Sequence, residues 1–164
     1  VVPQDTVLFN DSIAYNIGFG RSDASMKEIE QAAELAHLQD FIAGLPDGYE
    51  TRIGERGVKI SGGERQRISI ARAVLKRPRI YVFDEATSSL DSHTEREILV
   101  NLRDIARAST TLVIAHRLST VVHADEILVL DDGTVVERGT HGELMRGGRY
   151  AELWAAQQRG SAAA

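Results

Sequence analysis

The spacing of apolar and polar residues in the first half of the chain predicts helices separated by loops. A short helix is predicted within Leu8–Ile17, where two isoleucines lie four residues apart. The segment 25–37 opens with a serine and a glutamate at capping-box spacing and continues with apolar residues at the helical period, so it predicts a helix that ends near His37. A second capping-box pair predicts a helix that starts at Ser61 and meets no helix breaker before Pro78.

Two short apolar runs in the middle of the chain predict buried strands. They are Ile80–Phe83 and Thr111–Ala115, and the segment between them predicts a helix over 92–108. A strand, a helix and a strand in this order are typical of a right-handed crossover in a parallel sheet. The pattern therefore indicates an α/β fold.

The last part of the chain predicts a hairpin followed by a helix. Ile127–Leu130 and Thr134–Glu137 flank Asp132-Gly133, a pair typical of a tight turn between antiparallel strands. Gly142–Gln158 has a helical pattern, and residues 160–164 are expected to form a flexible tail.

Composition and charge narrow the possible functions. The chain has 164 residues, of which 43% are hydrophobic, so it predicts one compact unit with a core. The formal net charge of −5 argues against nucleic acid as a partner, and the absence of cysteine excludes disulfides and thiolate chemistry. The apolar runs are the length of strands and too short to span a bilayer. The first residues, Val1–Gln4, include no initiator methionine and have no pattern of a signal peptide. We expect the chain to be part of a larger polypeptide whose membrane-spanning part lies elsewhere.

The predicted helix start at Ser61 has the properties of a phosphate site. Gly62 and Gly63 follow the capping serine, so backbone N–H groups and the positive end of the helix dipole would face an incoming anion. Any capping box has the same logic, and the Ser61–Glu64 segment alone also fits an ordinary helix start.

Two carboxylates follow the first predicted strand. Asp84 suits the ligand shell of Mg²⁺ and Glu85 suits an attacking water, at the edge where parallel sheets bind their ligands. His116 follows the second strand, where an imidazole could contact a transferring phosphate. Taken singly, these residues also fit a solvated strand end and a surface histidine, Ser88–Asp91 fits a helix cap, and Gln4 carries no signal.

Together these segments resemble the ATP-binding cassette of ABC transporters over nearly the whole chain. The matching segments are the glutamine loop at Gln4, the signature Ser61–Glu64, the Walker B strand Ile80–Glu85, the D-loop Ser88–Asp91 and the switch histidine His116. Glu64 stands where the prototype signature has glutamine, a familiar variant. No Gly-x-x-x-x-Gly-Lys-Ser/Thr phosphate loop occurs in the 164 residues, although the family places one before the glutamine loop.

The resemblance implies a P-loop NTPase-like α/β fold, with a parallel-sheet core, an α-helical signature subdomain and the N-terminal part missing. It predicts a partial nucleotide-binding domain over 1–159, with the helical subdomain at about 11–76 and the catalytic core at about 77–159. It implies ATP and Mg²⁺ as ligands. Without a phosphate loop, the 164 residues alone are expected to be inactive.

The resemblance also implies partners and roles. Two cassettes pair head to tail, so Ser61, Gly62, Gly63 and Glu64 would serve the nucleotide held by the partner, and Asp91 would join the two halves. Gln4 and Asp84 would bind the metal, while Glu85 and His116 would be catalytic. A transmembrane domain, expected on the same polypeptide, would hold the cassette at the cytoplasmic face of a membrane.

The opening segment of the chain, Val2–Ile17, and the segment Gly54–Gly57 are most similar to exporter cassettes. The greatest similarity is to half-transporters for heavy-metal tolerance and iron–sulfur-cluster export. Two other classes are open to the same motifs. A DNA-repair or chromosome-organising ABC ATPase would continue into coiled coils or basic surfaces, which this chain lacks. A catalytically silent cassette is disfavoured because Glu85 and His116 are both present.

Overall fold

The computed structural model describes residues 1–54, 57–85, 109–115 and 117–162 of the chain. These residues form two compact units, Val1–Ile114 and Ala115–Ala164. The predicted helix 92–108, the D-loop with Asp91, His116 and residues 55–56 of the exporter-like segment lie outside the described residues. The predicted subdomain boundary near residue 76 stays a prediction.

Short elements open the first unit. Helix α1, Ile13–Gly18, begins where Ser12 Oγ accepts a hydrogen bond from the Tyr15 N–H, and it is shorter than the predicted 8–17. Strand β1, Asp11–Ser12, pairs antiparallel with β2, Arg52–Ile53. The residues of β2 are too few to give a periodic pattern, so only the pairing defines it.

The two longer predicted helices of this unit are confirmed. Helix α2 spans Met26–Leu35 behind the predicted Ser25–Glu28 capping box, and α3 spans Gln39–Ala43. Helix α4 spans Gly62–Leu75, packs against α1 and α2, and buries its apolar side with them in the core. The alanines of α2 that face this core have small side chains, which permit close approach of the two helices.

The predicted parallel sheet is also confirmed in the described residues. Strand β3, Ile80–Asp84, pairs parallel with β4, Thr110–Ile114, in a register that places Asp84 opposite Ile114. Tyr81 and Phe83 point from β3 into the core. Because side chains alternate along a strand, Ile80 falls on the other face, where it is 61% exposed.

The second unit contains the predicted hairpin. Strands β5, Ile127–Asp131, and β6, Thr134–Gly139, pair antiparallel around Asp132 and Gly133, whose φ angles are 45° and 74°. Positive φ at both central residues is the geometry that matches the twist of the two strands.

The prediction of a single helix over 142–158 is wrong. Two helices occupy this region, α5, His141–Leu144, and α6, Arg149–Ala162. Gly147 and Gly148 separate them with φ angles of 148° and 109°, which a continuing helix cannot accommodate. The expected flexible tail, 160–164, overlaps the end of α6 and stays a prediction.

Candidate active site

The carboxyl end of β3 is bounded by two neighbouring segments. On one edge Val2 N–H donates to Val82 O at 2.7 Å, and Asp84 N–H donates to Val2 O at 3.0 Å. On the other edge Glu85 N–H donates to Ile114 O at 3.1 Å, at the end of β4. Backbone groups of successive strand residues point to opposite edges, so β3 lies between the opening segment and β4.

This pairing brings Gln4 to the end of β3. Val2 lies opposite Phe83 in a parallel bridge, so Gln4 and Glu85 each follow two residues later at the same end of the sheet. Gln4 and Asp84 are exposed, and Glu85 is half-buried. The sequence predicted the two carboxylates at this edge, whereas the position of Gln4 follows from a backbone pairing between distant parts of the chain.

Glu85 has an unusual backbone conformation for a non-glycine residue. Its φ is 48°, in the left-handed region, directly after the last residue of β3. A non-glycine residue in this region costs about 1–2 kcal/mol, and such residues cluster at functional sites. The predicted catalytic residue therefore stands where the extended conformation of β3 ends.

The start of α4, where the sequence predicts a phosphate site, contains a complete capping box. Ser61 N–H donates to Glu64 Oε2 at 2.6 Å, and Glu64 N–H donates to Ser61 Oγ at 3.2 Å. The Glu64 carboxylate therefore stabilises the helix start. Gly62 and Gly63 occupy the first turn, whose backbone N–H groups have no carbonyl partner within a helix and are suited to an anion.

Three residues that the sequence did not single out hold the opening segment in place. Buried Gln66 donates through Nε2 to Pro3 O at 3.2 Å. Arg72 donates to Val7 O at 3.2 Å and to Asn16 O at 2.8 Å, and Asn16 Oδ1 accepts from the Phe9 N–H at 2.9 Å. The available sequence signal was a polar residue at a buried helical position, since Gln66 lies one turn before the fully buried Ile70.

Arg72 is also enclosed by aromatic rings. Its guanidinium lies 5.7 Å from the ring centroid of Phe9 and 5.8 Å from that of Phe19, within cation–π range. Burial lowers the pKa of Arg72, but an arginine retains its charge at all physiological pH values. The cation therefore joins α4 to the loop between the opening segment and α1.

The donor set at the end of β3 fits Mg²⁺ and a nucleoside triphosphate. Asp84 supplies a carboxylate and Gln4 an amide oxygen, both hard ligands, and Mg²⁺ usually binds one or two such groups together with phosphates.

Within the described ranges, no helix is long and apolar enough to cross a bilayer.

A parallel strand that ends in paired carboxylates, in an α/β fold that also contains a serine-capped helix with two glycines in its first turn, is typical of nucleotide-binding domains. The family model described as "ABC transporter" matches residues 1–88. The chain belongs to the ABC transporter family.

Relatives and a solved structure agree with this assignment. The chain is 58% identical over 161 residues to "ATP-binding cassette sub-family B member 6" of Mus musculus, matching 98% of this chain and 19% of that protein. It is 56% identical over 163 residues to the "ATM1-type heavy metal exporter" of Novosphingobium aromaticivorans, matching 99% of this chain and 27% of that protein. A bacterial Atm1-family ABC exporter with ATP bound superimposes with a TM-score of 0.89 at 56% identity, over 95% of this chain and 27% of that one.

The chain thus spans about a fifth to a quarter of the length of these relatives.

Proposed function

We propose that this chain is the ATP-binding and ATP-hydrolysing part of an ABC exporter. In this proposal, ATP-dependent pairing of two cassettes powers transport. The observation that carries the proposal is the end of β3, where Asp84 and Glu85 emerge beside the segment that holds Gln4. Two carboxylates and an amide oxygen at one edge of a parallel sheet suit a metal-bound triphosphate and its attacking water.

The roles of these side chains follow from their chemistry. Asp84 and Gln4 would hold Mg²⁺, which when bound would neutralise charge on the phosphates. Glu85 would accept a proton from the attacking water or orient it, since it is half-buried and adjacent to Asp84. His116, which lies outside the described residues, is proposed to contact the γ-phosphate.

The start of α4 would act on the nucleotide of the paired cassette. The N–H groups of Gly62 and Gly63, with the Ser61 hydroxyl, would bind its phosphates, while Glu64 would keep the helix start in shape through the capping box. Asp91 would contribute across the same interface. The partner is a second nucleotide-binding domain, and this arrangement places half of each composite site on this chain.

The transporter context is inferred from the relatives. Two of them are named as exporters, and their greater length leaves room for a membrane domain. We propose that this cassette lies at the cytoplasmic face of a membrane, joined to such a domain. Because one relative is named a heavy metal exporter, a heavy-metal complex is the proposed cargo.

The test is Glu85→Gln in the full-length protein that contains this chain. Glutamine keeps the size and removes the base, so ATP turnover should fall by about 10² to 10⁴ while ATP affinity is unchanged. Glu30→Gln on the exposed side of α2 is the matched control and should hydrolyse ATP normally.

Heavy-metal complexes of thiols should stimulate hydrolysis by the unmodified protein and leave Glu85→Gln inactive. Near-normal turnover in Glu85→Gln would refute the assignment of Glu85. Stimulation by lipids or peptides alone would refute the cargo.

A further inference from the structure

A side-chain hydrogen bond connects helix α4 to the peptide that directly precedes Gln4. Gln66 Nε2 donates to Pro3 O at 3.2 Å, and Pro3 directly precedes Gln4. Gln66 belongs to α4, the helix that begins after Ser61. The bond therefore joins the helix whose start is proposed to bind the partner's nucleotide to the segment that is proposed to serve the chain's own nucleotide.

The backbone around Gln4 is anchored on both sides. Before it, Val2 is paired with β3 and Pro3 accepts from Gln66. After it, Val7 O accepts from Arg72 Nη1 at 3.2 Å. Gln4 itself is exposed between these anchors, so its side chain faces solvent from a fixed piece of backbone.

The glutamine at position 66 is not explained by packing alone. Gln66 is only 3% exposed and lies on the buried side of α4 with Ile70. An apolar side chain of the same length would fill this position without desolvating an amide, which costs free energy unless the amide is hydrogen-bonded. The Pro3 carbonyl is the partner that offsets this cost, so the side chain serves to hold that peptide.

We infer that Gln66 is a positioning residue for nucleotide hydrolysis: it fixes the Gln4 segment on α4, so that metal binding at Gln4 and phosphate binding at the helix start are coupled. This inference rests on the proposed function. Coupling through a shared contact is reciprocal, so losing the bond weakens both sites' response to each other.

The experiment is a double-mutant cycle in the full-length protein, in which ATP hydrolysis and ATP binding are each measured against Mg²⁺ concentration. Gln66→Met keeps the unbranched shape and removes the donor. The half-saturating Mg²⁺ concentration should rise by about threefold to tenfold, the range of one lost hydrogen bond, while kcat at saturating Mg²⁺ stays within about twofold.

Two controls separate positioning from folding. Gln31→Met, on the exposed side of α2, should leave the Mg²⁺ dependence unchanged. Both variants should melt within about 2 °C of the unmodified protein.

The double variant Gln4→Ala with Gln66→Met is the decisive measurement. If Gln66 acts through Gln4, the double variant needs no more Mg²⁺ than Gln4→Ala alone. Effects that multiply, or an unchanged Mg²⁺ dependence in Gln66→Met, would overturn the inference. So would a Gln4→Ala variant with normal Mg²⁺ dependence, and in that case loss of turnover in Glu85→Gln would still uphold the proposed function.

Discussion

At the residue scale, Glu28 at the start of α2 shows how a helix cap and an ion pair act on one carboxylate. Its carboxylate accepts from the Ser25 N–H at 3.0 Å and forms an ion pair with Arg21. The Arg21 guanidinium, followed by the Ser25 backbone and hydroxyl, lowers the pKa of Glu28 from 4.5 to about 2. The charged form of the Glu28 carboxylate is therefore favoured when the start of α2 is folded.

This shift predicts a pH dependence with a definite sign. The pKa of Glu28 is lower in the folded chain than in the unfolded one, so its contribution to stability is present above about pH 4.5 and is lost as the pH falls towards 2. Carboxyl-carbon NMR of labelled glutamate should show this titration midpoint. Arg21→Gln should move the midpoint upwards because it removes the largest cause of the shift. A Glu28 midpoint near 4.5 in the unmodified chain would contradict the prediction.

At the scale of an element, helix α4 combines a structural role with a proposed role in phosphate binding. Its buried side completes the core with α1 and α2, and its first turn presents the glycines that suit an anion. The capping box leaves these two functions separable, because Ser61 and Glu64 satisfy each other without using the glycine N–H groups.

Gly62→Asp tests the role of this helix start. A carboxylate in the first turn suits the helix dipole, so the helix should persist, but it would face the phosphates of the partner's nucleotide. In the full-length Glu85→Gln background, the affinity of ATP-dependent cassette pairing should fall by about tenfold or more. Gly62→Asn is the uncharged control and should pair more strongly than Gly62→Asp. Equal pairing by the two variants would show that no anion approaches this turn.

At the scale of the whole molecule, three apolar side chains on one face of the parallel sheet are exposed. Ile80, Leu112 and Ile114 are 61%, 52% and 47% exposed on β3 and β4. Burial of such surface is worth about 25 cal/mol per Å², and a domain's total stability is only about 5–15 kcal/mol. These side chains therefore contribute little of the stabilisation that their burial would provide.

At the same scale, we predict that these 164 residues alone neither bind nor hydrolyse ATP. The sequence contains no Gly-x-x-x-x-Gly-Lys-Ser/Thr, the loop whose N–H groups and lysine bind phosphates, so Asp84 and Glu85 would repel the triphosphate. Calorimetric titration with Mg-ATP should show no micromolar binding, and sedimentation should show self-association through the apolar face. A longer protein that supplies such a loop is the positive control. Micromolar affinity in a monodisperse sample of the short chain would refute this.

The sequence by itself determined the local structure of the capped helix starts and of the hairpin turn. The capping boxes of α2 and α4 and the Asp132-Gly133 turn each depend on residues within about one turn of each other, so the pattern alone specifies them. The family motifs are equally local. The role of each motif residue, including Asp91 and His116, stays a prediction.

Only the tertiary structure decided how distant segments meet. The β1–β2 pair, the Val2 bridge to β3 and the Gln66 bond to Pro3 join residues far apart in sequence, and each depends on backbone positions set by the packed core. A single glutamine in a helix carries no information about which carbonyl will lie opposite it. The physical reason is that a long-range hydrogen bond forms only after the elements that carry its two ends have been brought together by burial of their apolar faces.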